Sequence, residues 1–237
     1  MVDNAPSTTQ PSTSSLPDHD ARLDRIYEHG DELIAQLREA SKPRVFIISG
    51  PSGVGKDSVI EELREVFPDA EYVVTATTRP MRKGEIDGVH YVFLSKEEFL
   101  ERIEHNDFVE NAMVYDNHYG VPRSPIVNGL AQGRHVIVKV DVKGAATLRR
   151  LIPHTTSIFL APESMRALLS RLRDRKTDDP DVLMKRFTTA SAELAEVEHF
   201  DYVVFNEDGK LDDAVRSIIN VIDSEHRKVH QPDIVIP

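Results

Sequence analysis

The segment Gly50-Pro51-Ser52-Gly53-Val54-Gly55-Lys56-Asp57 has the glycine spacing and the lysine of a phosphate-binding loop. Glycines at 50, 53 and 55 allow a tight backbone path that turns successive amide N–H groups toward phosphate oxygens, and Lys56 adds a mobile cation. The apolar run Val45-Phe46-Ile47-Ile48 precedes the loop, and the helical spacing of Ser58 to Val66 follows it. That is the strand–loop–helix setting the motif requires, and it predicts a nucleoside triphosphate held by Gly50, Pro51, Ser52, Gly53, Val54, Gly55, Lys56, Asp57 and Ser58. One letter departs from the motif. A Ser or Thr usually follows the lysine and ligates magnesium, whereas this chain has Asp57. A carboxylate is a hard oxygen donor, so Asp57 can hold the same ion directly or through water; the alternative is a site that has lost metal and activity.

A second set of candidates lies downstream in Thr77-Thr78-Arg79-Pro80-Met81-Arg82-Lys83-Gly84-Glu85. Arg79 and Arg82 carry forked donors suited to clamping a phosphate, and Tyr91 and Tyr119 offer hydroxyls. Alone, two arginines at this spacing read as a solvated surface pair. The glycine loop upstream makes a second anion site the better reading.

The elements that must position these groups follow an α/β rhythm. Beyond the first strand, the runs His135-Val136-Ile137-Val138, Ser157-Ile158-Phe159-Leu160 and Tyr202-Val203-Val204-Phe205 are separated by helical patterns, as in a parallel sheet with crossover helices. Between Glu71 and Val121 the rhythm breaks into strand candidates at Tyr72 to Ala76, Val89 to Leu94 and Phe108 to Tyr115, with one helix opened by the capping box Ser95-Lys96-Glu97-Glu98. An inserted subdomain is expected there. Residues 1–19 are polar and Pro/Ser/Thr-rich and read as a disordered tail, residues 20–41 as an amphipathic helix, and residues 231–237 as a C-terminal tail.

Composition narrows the function classes. With 40 acidic against 29 basic side chains the net charge is −11, which argues against a general nucleic-acid binder and requires a local donor cluster for any phosphate ligand. No apolar run approaches a membrane span, no cysteine is present for thiolate chemistry, and the first basic residue is Arg22, after Asp3, Asp18 and Asp20, which is unlike a transit peptide. A cytoplasmic protein without membrane partners is expected; the oligomeric state is left open.

From Arg44 to about Lys228 the sequence resembles the guanylate kinases, which move a phosphoryl group from ATP to GMP. The likeness is carried by Ser49-Gly50-Pro51-Ser52-Gly53, Thr77-Thr78-Arg79 with Arg82 and Gly84-Glu85, Tyr91, Phe108-Val109-Glu110, Tyr119-Gly120 and Asp141-Val142-Lys143-Gly144-Ala145. It implies a P-loop nucleoside monophosphate kinase fold over residues 42–230: a parallel sheet flanked by helices, a GMP-binding subdomain at about 75–121 and a small lid at about 173–181. It implies that Glu110 reads guanine, since a carboxylate accepts from N1–H and N2–H together whereas adenine presents a bare acceptor at N1. It further implies a base contact from Thr75, a GMP site that includes Glu85 and Asp141, and a phosphate clamp of Arg79, Arg82, Tyr91 and Tyr119. Catalytic arginines at Arg175 and Arg186 would act beside Lys56, Asn206 would meet adenine, and Mg2+ would accompany ATP. Three positions depart from the pattern: Asp57; Lys139, where an acidic residue is usual; and Val121, where many members have Ser or Thr. A carboxylate gained at 57 offsets one lost at 139, and a Gly-Lys-Asp loop with a basic residue at that strand end resembles the plant organelle type. Two other readings stand beside the kinase: a non-catalytic binding module of the same fold, and a kinase acting on a sugar phosphate.

Overall fold

The computed structural model describes residues 16–39, 42–114, 116–173 and 180–237. The chain divides into two compact units, with the boundary between Ser41 and Lys42. In the first, α1 (Leu16–Glu39) carries Leu23, Ile26, Tyr27, Leu33, Ile34 and Leu37 at helical spacing. This helix begins within the stretch expected to be a disordered tail. Pro17 does not prevent that, because it falls in the first turn, where an absent N–H costs no intrahelical bond.

The second unit runs β1 (Val45–Ser49), α2 (Lys56–Val66), β2 (Glu71–Val73), β3 (Ala76–Thr77), β4 (Val92–Phe93), α3 (Lys96–Glu104), β5 (Phe108–Val114), β6 (Asn117–Pro122) and α4 (Arg123–Ala131). It continues with β7 (Val136–Lys139), α5 (Val142–Leu151), β8 (Thr156–Pro162), α6 (Met165–Arg173), α7 (Pro180–Ala195), a 3-10 turn (Glu196–His199), β9 (Tyr202–Asn206) and α8 (Leu211–His226). Among the described residues no helix is long and apolar enough to cross a membrane.

Five strands form a parallel sheet in the order β2-β7-β1-β8-β9. Strands β1 and β8 are buried throughout, as continuous apolar runs covered on both faces should be. Alternation divides β1 between two cores. Phe46 and Ile48 pack with Val59 and Leu63 of α2 and Ile218 of α8, while Val45 and Ile47 pack with Ile126 of α4 and Leu148 of α5. The chain leaves β1 toward β2 and β7 on one side and later returns to β8 on the other. Such a reversal opens a crevice at the carboxyl end of β1, where the glycine loop begins.

The second sheet has the order β4-β3-β6-β5, with antiparallel pairing of β6 to both β3 and β5. The expected strand Tyr72 to Ala76 contributes to both sheets: β2 ends at Val73 in the parallel sheet, and β3 starts at Ala76 in the other. No Gly or Pro marks that corner in the sequence. The sequence pattern does not reveal strand β6, because Gly120 and Pro122 lower its strand signal. Gly120 is required by packing: a Cβ there would lie 2.7 Å from the Phe108 ring and 2.9 Å from that of Phe99. The expected capping box is formed, with Ser95 Oγ accepting from Glu98 N at 3.1 Å and Glu98 Oε2 accepting from Ser95 N at 2.8 Å.

The segment expected to be a C-terminal tail is docked on the core. Ile234 and Ile236 pack against the cluster of Val45, Val136 and Ile152, and the buried Arg44 donates to Pro232 O at 2.8 Å. Two isoleucines in an otherwise polar end carry too weak a pattern to reveal this. Deleting residues 231–237 should lower the unfolding free energy by about 2–3 kcal/mol in urea denaturation. An unchanged midpoint would show that the segment only rests on the surface.

Candidate functional site

The glycine loop is held by neighbours on every side. Gly50 has φ +147°, and a Cβ on it would sit 2.2 Å from the Leu160 carbonyl oxygen of β8; Gly55 has φ +98° and abuts the Asn206 amide. Asn206, buried at the end of β9, donates to Val54 O at 2.8 Å. Arg171 of α6 donates to the same carbonyl at 3.0 Å and to Asn206 O at 2.8 Å, and pairs with Asp208. On the cleft side, Ser52 N donates to Glu193 Oε2 at 3.0 Å. The Lys56 ammonium folds onto Gly50 O at 2.5 Å and Pro51 O at 3.2 Å. Desolvation lowers the Lys56 pKa, against the pull of Glu193, Asp57 and Asp141.

Across the cleft, Arg79 donates to both oxygens of Glu85 at 2.8 Å, and Glu85 Oε2 also accepts from Arg82 N at 2.6 Å. Burial works against the Arg79 charge, but the hydrogen bond and charge of Glu85 outweigh it and hold the guanidinium protonated. Burial likewise disfavours ionised Glu85, and the bonds from Arg79 and Arg82 N reverse that, so its pKa is lowered. The Arg79 guanidinium lies 5.1 Å from the Tyr91 ring centroid, and Tyr91 meets Tyr119 edge-on at 6.1 Å.

Thr75 and Glu110 are buried at the floor of the same cleft. Strand β5 shifts register between Phe108 and Glu110, and three successive buried residues replace the usual alternation. Glu110 shares the cleft-facing side of β5 with Ala112 and Val114, as strand alternation places them. Burial, followed by the charge of Asp141, pushes its carboxyl up to about 7.

Lys139, at the carboxyl end of β7, joins the two halves. Its ammonium donates to Asp57 Oδ1 and lies 4.7 Å from the Tyr91 ring centroid. Asp141 caps α5 by accepting from Gly144 N at 2.7 Å. The cleft holds about 210 Å³ of open space and is lined by the loop from Ser52 to Asp57 together with Thr75, Arg79, Arg82, Tyr91, Glu110, Tyr119, Lys139, Asp141 and Glu193. Among the described residues no group of three or more His, Cys, Asp or Glu is arranged to hold a metal. Magnesium needs no such cage, since it commonly takes one or two carboxylates and keeps several waters, and the Asp57 carboxylate at the lip fits that donor set.

Several expected site residues have other placements. Ser58 is exposed on α2 and does not line the cleft; Gly50 and Pro51 form the base of the loop. Glu85 stands behind Arg79 and orients it, and the Asn206 amide is engaged by Val54. Arg175 and most of the lid expected at about 173–181 lie outside the described residues; Arg186 falls in α7, but its side chain also lies outside them. Sequence reasoning missed Glu193 and Arg171. Each sits in a helix among like-charged neighbours, and nothing in the spacing singles it out.

A guanylate kinase family model matches residues 42–225. The chain belongs to that family. It is 44% identical over 201 residues to guanylate kinase 2, chloroplastic/mitochondrial, of Oryza sativa subsp. japonica, covering 84% of this chain and 70% of the relative. It is 39% identical over 187 residues to the guanylate kinase of Carboxydothermus hydrogenoformans, covering 79% of this chain and 91% of the relative. The crystal structure of guanylate kinase from Anaplasma phagocytophilum superposes with a TM-score of 0.67 at 29% identity, over 80% of this chain and 89% of that one. The P-loop nucleoside monophosphate kinase fold expected from the sequence is therefore the fold of the second unit.

The loop geometry makes a direct prediction. Gly50→Ala forces a methyl group onto the Leu160 carbonyl and should cost about 3 kcal/mol or more in thermal denaturation. Gly84→Ala also falls at positive φ but points into open space, and should cost about 1 kcal/mol. Equal losses would mean that the close approach of β8 does not constrain the loop.

Proposed function

We propose that this chain transfers the terminal phosphoryl group of ATP to GMP, with the donor at the glycine loop and the acceptor beneath Arg79, Arg82, Tyr91 and Tyr119. The observation that carries the reading is a buried carboxylate, Glu110, facing the same cleft as the glycine loop. Guanine presents N1–H and N2–H on one edge, and ionised Glu110 accepts both; Thr75 lines the same cleft and offers a further base contact. Arg79, oriented by Glu85, and Arg82 grip the GMP phosphate.

On the donor side the loop amides and Lys56 draw the triphosphate into line, and Arg175 and Arg186 are assigned to the charge that develops during transfer. An oxygen of the GMP phosphate attacks the terminal phosphorus as the bond to the ADP oxygen breaks. The attacking oxygen is already anionic, so no general base is needed. Magnesium bound to ATP would neutralise phosphate charge, with Asp57 as its protein ligand, directly or through water. Neither a binding module nor a sugar phosphate kinase gains support: the loop keeps its glycines and Lys56, and Glu110 is where a purine reader belongs.

The Glu110 carboxyl sets a pH dependence. With its pKa near 7 in the free protein, Glu110 is protonated below that pH, while pairing with guanine requires the carboxylate. GMP binding therefore releases a proton in this range, and affinity should fall by about tenfold per pH unit as pH drops below 7. Calorimetry on unaltered protein and Glu110→Gln separates this from the GMP phosphate, which titrates near pH 6 in both. The variant should bind GMP weakly, lose the Glu110 proton release and keep ATP. A GMP affinity with the same pH profile in both proteins would contradict the assignment.

A further inference from the structure

Glu193 lines the cleft, yet the transfer described above gives it no part. It lies in the last turn of α7, where the helix dipole disfavours a carboxylate, so its placement does not serve its own helix. Its Oε2 accepts the Ser52 amide of the glycine loop at 3.0 Å. Such amides are the groups a phosphate-binding loop offers to its ligand, so a carboxylate of the protein occupies part of the anion nest. The Lys56 ammonium is turned onto Gly50 O and Pro51 O, and Glu193 is the foremost charge favouring its protonated form. The charges that act on Glu193 come from several elements: Lys56 of α2 and Lys143 of α5 attract it, and Asp141 repels it.

We propose that Glu193 is a positioning residue of the donor site, an internal anion that holds the loop when it is empty and that the terminal phosphate of the donor displaces. The inference rests on the glycine loop being the ATP site. Lys56, by its place in the motif, reaches the two outer phosphates of a triphosphate and would bring the terminal one to the lip where Glu193 stands. Two anions of like sign cannot share the Ser52 amide and Lys56 without a Coulombic cost. The cost falls on ATP, whose terminal phosphate reaches the lip, more than on ADP, which lacks it. Glu193 thereby tunes the relative affinity of the loop for donor and spent donor, and its departure frees the end of α7 from the loop.

The test is calorimetric titration of the full chain with magnesium-ATP and magnesium-ADP. Glu193→Gln keeps the length and an acceptor oxygen for Ser52 N–H while removing the charge, so ATP should bind about fivefold tighter and ADP with close to unchanged affinity. The melting temperature should not move. Glu193→Ala, which removes both the charge and the pin, should also favour ATP over ADP relative to the unaltered protein. If Glu193→Gln leaves the ATP-to-ADP ratio unchanged, or Glu193→Ala weakens both nucleotides equally, Glu193 is a structural pin and the inference is overturned. Unaltered protein that binds neither nucleotide would overturn the donor-site reading itself.

Discussion

Two phosphate-bearing substrates must be brought together in the cleft of a chain whose net charge is −11, and much of the site answers that repulsion. The fold does so by gathering cations beyond the carboxyl ends of three strands. Lys56 follows β1, Lys139 ends β7, and Arg79 and Arg82 follow β3. Four carboxylates share the space, and each has a local task. Glu193 holds a loop amide, Asp141 caps a helix and Asp57 pairs with Lys139, while burial and then the charge of Asp141 raise the pKa of Glu110.

The pairing of Lys139 with Asp57 joins these parts. Each residue alone departs from the usual family pattern, and the departures meet in space. Lys139 also lies over the Tyr91 ring, which on its other contacts meets Arg79 and Tyr119. One cation therefore touches the lip of the donor loop and the wall of the acceptor clamp. The structure thus puts a carboxylate at the start of α2 and its lysine partner at the end of β7.

Much of this was legible in the sequence, for physical reasons that differ by region. The strands around the loop read clearly because burial on both faces makes them uninterrupted apolar runs, and the loop reads clearly because its close contacts tolerate only glycine at Gly50. The corner between β2 and β3 was hidden because strand-favouring residues continue across it, and β6 was hidden by the Gly120 that packing against Phe99 and Phe108 demands. In the site, the arginines and tyrosines could be nominated from their chemistry, but the purpose of Glu110 came from family likeness. Its carboxylate stands with Ala112 and Val114 on one face of β5, and strand alternation alone does not say which face borders a ligand. Glu193 and Arg171 were illegible, since a loop anchor on a distant helix looks like any surface charge until the chain is folded.

A double-mutant cycle on Asp57 and Lys139 tests the central claim most directly. The rate with limiting magnesium-ATP would be measured for Asp57→Asn, Lys139→Met and the combined variant. If the pair acts as one unit, the combined loss should fall short of the product of the single losses by a coupling of about 1 kcal/mol or more. Losses that simply multiply would show that the lysine and the aspartate act independently, and the account of the cleft as two sites joined by that pair would be wrong.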